Sequence, residues 1–354
     1  MKIHNFSAGP AILPNSVLKK SADAIQNFKN MNLSILEISH RSPQFVEVMS
    51  KARFLVNELL GLDNKFEILF LTGGASSQFF MTAMNFLTKN DIAYYINTGT
   101  WSNKAIKEAH KFGDIVELAS SKENNFNYIP KSYTVPNNGR YLHLTSNNTI
   151  FGTQIHEWPK SEIPVICDMS SDIFSREIDS NYFDIIYAGA QKNMGPAGTT
   201  LVIIKKSFLK SSNSGLPSML DYKIHASKDS SFNTPPVYPI YVSMLTMNWI
   251  KENGGVKAME KINLEKAHLL YKEIDRNSKF YGTATKEDRS LMNVAFLLHD
   301  DTKNSTFLEM AALAGISGIK GHRSVGGFRA SIYNAMPIES IKVLIGVMVE
   351  FERL

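Results

Sequence analysis

Ile68-Leu69-Phe70-Leu71-Thr72-Gly73-Gly74-Ala75-Ser76-Ser77-Gln78 is the stretch that decides the fold. Ile68 to Thr72 reads as a short buried strand, and the small residues after it open a helix expected to run through Phe86. The same order recurs where Asp91-Ile92-Ala93-Tyr94-Tyr95-Ile96 precedes Gly99-Thr100-Trp101, and again where Tyr141-Leu142-His143-Leu144 precedes Thr149. Val165-Ile166-Cys167-Asp168, Phe183-Asp184-Ile185-Ile186 and Thr199-Thr200-Leu201-Val202-Ile203-Ile204 add further strands. Strands that feed small-residue loops and then helices predict an α/β fold with a mostly parallel sheet.

Outward from this centre the pattern changes. Ser7-Ala8-Gly9-Pro10-Ala11-Ile12-Leu13-Pro14 is a structured turn, with a helix expected from Asn15. Phe45, Val48, Met49, Phe54, Leu55, Leu59 and Leu60 recur at helical spacing, and Gly61 is a natural stop. Beyond about residue 250, residues 256–275 read as helix, Met292 to Leu298 as strand, and 339–351 as a last helix. At 354 residues the chain exceeds the usual size of one domain. We expect a large α/β domain over 15–250 and a smaller α+β domain from 1–14 with 251–354, sharing a cleft.

Hydrophobic content of 44% and charged content of 20% fit a globular chain. The formal charge of +5, from 38 basic and 33 acidic side chains, is spread along the sequence and suits small anionic substrates. No nucleic-acid module is recognisable, so nucleic acid is not expected as a partner. Cys167 is the only cysteine, which excludes an intrachain disulfide and a cysteine zinc cluster; no metal site is expected. No run approaches the roughly 18 apolar residues of a membrane span, and the N-terminus has no secretory apolar core. A cytoplasmic protein is expected.

Candidate chemistry centres on Tyr187-Ala188-Gly189-Ala190-Gln191-Lys192-Asn193-Met194-Gly195-Pro196-Ala197-Gly198. A lysine just beyond a buried strand, among residues small enough to admit a flat ligand, suits Schiff-base chemistry; a solvated side chain in a glycine-rich loop is the competing reading. Asp168 ends a strand 24 residues earlier, at the sheet edge where ligands bind. Its carboxylate can hold a pyridine nitrogen protonated, cap a helix or bind Mg²⁺. Gly73 to Ser77 presents backbone N–H groups and hydroxyls to a phosphate, or forms an ordinary helix start. Trp101 can stack on a planar ring or pack in the core, and Thr149 can donate to a ring oxygen or fill a strand. His40-Arg41, His322-Arg323 and Arg329 suit a substrate with several negative charges, against a reading as surface ion pairs.

Together these residues resemble the phosphoserine aminotransferase family, class V aminotransferases that carry pyridoxal 5′-phosphate on fold type I, the aspartate aminotransferase fold. The resemblance runs nearly end to end, through Phe6 to Pro14, Ser39-His40-Arg41, Ala188 to Gly198, Phe232-Asn233-Thr234-Pro235-Pro236, Gly254-Gly255-Val256, Lys320 to Arg323 and Gly327 to Pro337. It implies a mostly parallel seven-stranded sheet flanked by helices, with a smaller α+β domain. By resemblance, Lys192 carries the cofactor as an aldimine, Asp168 faces the pyridinium nitrogen, Trp101 stacks on the ring and Thr149 reaches its phenolic oxygen. Ala75, Ser76 and Gln191 would hold the cofactor phosphate, joined by Asn233 and Thr234 from the second subunit of a homodimer. Arg329 would take the substrate α-carboxylate, while His40, Arg41, His322 and Arg323 receive the substrate phosphate or the glutamate side chain. Ser76 stands where some members carry arginine, so one guanidinium is missing beside the cofactor phosphate. The implied reaction is ping-pong transamination between L-glutamate and 3-phosphohydroxypyruvate, giving 2-oxoglutarate and O-phospho-L-serine in serine biosynthesis, with a possible role in pyridoxine biosynthesis.

Overall fold

The computed structural model describes residues 2–354. The chain opens with β1 (His4–Asn5), followed by α1 (Asn15–Gln26) and α2 (Pro43–Leu60). Ser42 accepts the Phe45 amide and Pro43 occupies the first turn, so α2 starts as its sequence requires. Gly61, at φ +57°, ends it in the left-handed conformation.

Strand and helix alternate through β2 (Phe66–Leu71), α3 (Gly74–Phe86), β3 (Ile92–Asn97) and α4 (Thr100–Ala109), and then five strands follow: β4 (Asp114–Ser120), β5 (Leu142–Thr145), β6 (Val165–Asp168), β7 (Ile185–Gly189) and β8 (Thr200–Lys205). These strands form one seven-stranded sheet in the order β2-β8-β7-β6-β5-β3-β4. Only β8 runs against its neighbours; the others align parallel, as expected. Alternate residues supply two cores: Ile186 and Ala188 of β7 join one with α2, while Ile185 and Tyr187 join the other with α3.

The expectation of a helix after each strand fails at the crossovers after β4, β5 and β6, which carry no α-helix. No helix follows β5; residues 146–164 are irregular, pinned by an Asn147–Gln154 bridge and by the Ile155 amide donating to Ser146 O at 2.7 Å. Ser146, Asn147, Asn148 and Thr149 compete for backbone groups, and Gly152, Pro159 and Pro164 interrupt any helical run. The consequence is a buried polar loop, with Thr149 held at the sheet edge.

The chain continues through α5 (Lys206–Lys210), α6 (Tyr222–Ser227), α7 (Val237–Glu252) and α8 (Gly255–Arg276). Then come β9 (Phe280–Gly282), β10 (Asn293–Leu298), α9 (Asn304–Leu313), β11 (Ile316–Ser317), β12 (Phe328–Ser331) and α10 (Ile338–Glu352). Antiparallel β12-β10-β9 backs onto a phenylalanine-rich core with α8 and α10, and β1 pairs parallel with β11. Phe6 lies in this second core, so the N-terminal segment belongs to the C-terminal layer. Val256 and Met259 at the start of α8 lie in the large core, whereas Ala267, Leu270 and Ile274 lie in the small one. One helix therefore spans both bodies.

Candidate active site

Six strands of common direction, β2 to β7, direct their carboxyl ends to one edge, where a parallel sheet binds ligands. A cleft of about 480 Å³ opens there, between the large sheet and β12. Lys192 follows β7 and its Nζ donates to Thr149 Oγ1 at 2.9 Å. Burial lowers the Lys192 pKa; the Asp168 carboxylate opposes that shift and Arg329 adds to it.

Asp168 ends β6 with 5% exposure. The Ser170 amide and hydroxyl donate to its Oδ1 at 2.9 and 2.6 Å. Burial raises its pKa, whereas Lys192 and the Ser170 hydrogen bonds lower it, so the carboxylate is costly to ionise until it meets a cation. A protonated ring nitrogen is such a cation. Ser170 was missed by sequence reasoning, although Asp-x-Ser is the spacing of a local side-chain turn.

Trp101 sits in the first turn of α4, its ring centroid 5.5 Å from Lys192 Nζ. Its buried Nε1 has no hydrogen-bond partner among the described residues. Thr149 O accepts from Arg329 Nη1 at 3.3 Å, so the arginine of β12 and the lysine after β7 meet on one threonine.

At the cleft's other end, Gly73 and Gly74 adopt φ +94° and +66° and lead into α3. A side chain at Gly73 would bring its Cβ within 1.9 Å of Ser77 Oγ. The turn therefore requires glycine, and it leaves the first amides of α3 facing the cleft at Ala75 and Ser76. Ala8 and Gly9 cover the Lys192 side, with the Ala11 amide donating to Gln191 O at 2.9 Å.

Nine of the expected residues line this one cleft: Ala75, Ser76, Trp101, Thr149, Asp168, Gln191, Lys192, His322 and Arg329. Five do not. His40 and the exposed Arg41 lie on the turn before α2, and Arg323 is exposed beside His322. Asn233 and the exposed Thr234 precede α7, with Asn233 on the far flank of Gly73 and Ser77. Arg323 still acts at the cleft mouth: burial, then Arg329, Arg323 and Lys104, hold the His322 ring below its usual pKa.

Comparison with known proteins fits this arrangement. A family model described as aminotransferase class V matches residues 3–344. The chain belongs to the class V aminotransferases. It is 59% identical over 353 residues to a phosphoserine aminotransferase of Flavobacterium psychrophilum, covering 99% of each chain. It is 53% identical over 355 residues to that of Parabacteroides distasonis, covering all of this chain and 99% of the relative. Among solved structures, phosphoserine aminotransferase from Bacillus circulans subsp. alkalophilus superposes with a TM-score of 0.97 at 42% identity, covering 99% of both chains. The pyridoxal-phosphate-bound enzyme of Trichomonas vaginalis gives 0.93 at 34% identity, covering 98% of this chain and all of that one.

The residues present fit pyridoxal phosphate, the cofactor of this family. An amine of depressed pKa, a buried carboxylate, an aromatic face with an unpartnered N–H and a glycine-shaped helix start meet four separate demands of one flat, phosphorylated ring.

Proposed function

We propose that this chain is a phosphoserine aminotransferase acting in serine biosynthesis. It moves the amino group of L-glutamate to 3-phosphohydroxypyruvate, yielding 2-oxoglutarate and O-phospho-L-serine in two ping-pong half-reactions. The observation that carries this reading is Lys192 Nζ, hydrogen-bonded to Thr149 at 2.9 Å in the cleft that also holds Asp168, Trp101 and Arg329. Full-length relatives of that name support the choice of substrates.

When bound, pyridoxal phosphate supplies an electron sink for the carbanion formed at substrate Cα. Lys192 is the residue that would hold the cofactor, and burial favours the neutral amine that can take the substrate Cα proton. Asp168 keeps the ring nitrogen protonated, with Ser170 fixing its carboxylate. Trp101 would offer its face to the ring and Thr149 its hydroxyl to the phenolic oxygen, while Ala75, Ser76 and Gln191 would receive the phosphate. Arg329 takes the substrate α-carboxylate. His322 and Arg323 meet the second anionic group, a carboxylate of glutamate or the phosphate of its partner substrate.

The functional unit in this reading is a homodimer. Arg41 and Thr234 are exposed on their own chain, and exposed Leu33, Leu36 and Val46 flank the His40-Arg41 turn. Apolar side chains around a cationic turn suit burial against a second copy, which brings His40 and Arg41 to that copy's substrate and Asn233 and Thr234 to its cofactor phosphate. A division into a large body and a smaller one built from both chain ends is supported by the separate cores, except at the start of α8, where Val256 and Met259 pack in the large core and carry its boundary past residue 250. A cytoplasmic location is supported by the lone, buried Cys167; among the described residues no helix is long and apolar enough to cross a membrane. The same anion-binding groups suit the phosphorylated hydroxythreonine precursor of pyridoxine biosynthesis.

The test is purified protein with glutamate and 3-phosphohydroxypyruvate, following O-phosphoserine and the cofactor spectrum together. Phosphoserine formation is expected. A cofactor-loaded protein that forms none overturns the substrate assignment.

A further inference from the structure

Lys266 lies in the middle of α8 and is 0% exposed. Its Nζ donates to Ile332 O at 2.8 Å and to Tyr333 O at 2.6 Å. Burial pushes its pKa down to about 7, with no carboxylate opposing the shift among the described residues. A lysine is an expensive way to satisfy two carbonyls, since a neutral amide would serve them without a titrating group. Its four-carbon stem does have the reach to cross from the helix to the chain beyond β12.

The residues that Lys266 grips lead directly to the chemistry. Ile332 to Asn334 follow β12, which carries Arg329. Tyr333 OH donates to Ala8 O at 2.8 Å and accepts from Asn293 Nδ2 at 3.1 Å. The Asn334 amide donates to Oδ1 of Asn193, the residue after Lys192, at 3.0 Å, and Asn334 Nδ2 donates to Phe174 O at 2.9 Å. One turn before Lys266 on α8, Asn263 Nδ2 bonds Ser175 O at 3.0 Å and Asn334 Oδ1 at 2.8 Å. Thus a single face of α8 ties together the chain after Arg329 and the residue after Lys192.

We propose that Lys266, assisted by Asn263, is a positioning residue that locks the Ile332–Asn334 tract and thereby sets Arg329 and Lys192 at the spacing one substrate molecule requires. The inference rests on the reading of Arg329 as the carboxylate anchor. Its consequence is specific: loosening the tract weakens ligand alignment more than it weakens the fold.

The experiment compares wild-type, Lys266→Met, Asn263→Ala and Arg329→Lys holoenzymes. It measures glutarate binding through the cofactor absorbance, the KM and kcat for glutamate, the pH midpoint of the lysine-linked cofactor absorbance, and Tm. For Lys266→Met, glutarate Kd and glutamate KM are expected to rise about tenfold with a smaller change in kcat, and the absorbance midpoint to move, because misplacing an aligned group costs on that scale. Asn263→Ala is expected to move the same quantities less, and carries the test where Lys266→Met does not fold. A lowered Tm with unchanged glutarate affinity and midpoint overturns the proposal and leaves Lys266 a purely structural cap. If Arg329→Lys alone weakens glutarate, the positioning role fails while the anchor stands; if Arg329→Lys changes nothing, the anchor fails and this inference fails with it.

Discussion

The expected site residues fall into two halves, and they are built differently. Lys192, Asp168, Trp101 and Thr149 stand at the ends of four parallel strands, buried or half-buried, each fixed by neighbours from the same chain. His40, Arg41, Arg323, Asn233 and Thr234 sit on turns, none of them lining the cleft, with Arg41, Arg323 and Thr234 exposed. In our reading the first half performs the chemistry and is preorganised by the sheet; the second, which meets the substrate's second anionic group and, through Asn233 and Thr234, the cofactor phosphate, depends on turns and on a second subunit. Groups fixed by the sheet bear on rate and exposed cations on substrate preference, so substitutions in the two halves should differ in kind as well as in size.

The largest effect is expected from Lys192→Ala. Among the described residues no other amine lines the cleft, so turnover should fall by at least about a thousandfold, with the lysine-linked absorbance lost. Retention of both would break the comparison at its base. Asp168→Asn removes the charge while preserving shape and the contacts with Ser170; kcat/KM should fall about a hundredfold, as on loss of a preorganised electrostatic partner. An unchanged rate would mean that the ring nitrogen needs no carboxylate here.

Legibility in the sequence follows the same divide. The strand ends, Lys192 and Asp168 were readable because buried parallel strands are continuous apolar runs and their carboxyl ends are where ligands sit. The position of β8 between β2 and β7 was not readable, since strand order depends on contacts far apart in sequence. Nor was the polar loop after β5, where the side chains of Asn147 and Asn148 bond to those of Asn293 and Thr153. Ser170 lay within reach of local reasoning, two residues from Asp168. Lys266 did not: nothing around it in α8 marks it, and its partners lie 66 and 67 residues away.

A smaller effect is expected in the exposed half. Arg41→Gln and Arg323→Gln should each raise the KM for 3-phosphohydroxypyruvate about tenfold, through loss of one charge-assisted contact. The glutamate half-reaction should change less, and the lysine-linked absorbance should be untouched. Raised salt should erode the same preference in the wild type, because exposed cations are screened more than buried ones. Loss of the absorbance in either variant would show that these arginines support the cofactor half, and would dissolve the distinction.

The last expectation concerns folding and not turnover: the dependence of stability on pH separates Lys266 from the exposed lysines. Its pKa is about 7 in the folded chain against 10.5 for an unperturbed lysine. Between those values the unfolded state binds more protons than the native state, so this group makes stability rise with pH, by at most about 1.4 kcal/mol per pH unit. The cost of burying its ammonium is fully present below about pH 7 and has vanished above 10.5. Urea unfolding of the apoprotein at several pH values should therefore show a steeper rise for wild type than for Lys266→Met, the difference confined to that window. Subtracting the two curves cancels Lys192, which shifts in the same direction for the same reason, burial. Parallel curves would mean that Lys266 keeps its proton throughout, with the two carbonyls of Ile332 and Tyr333 sufficient to hold an ammonium in the interior.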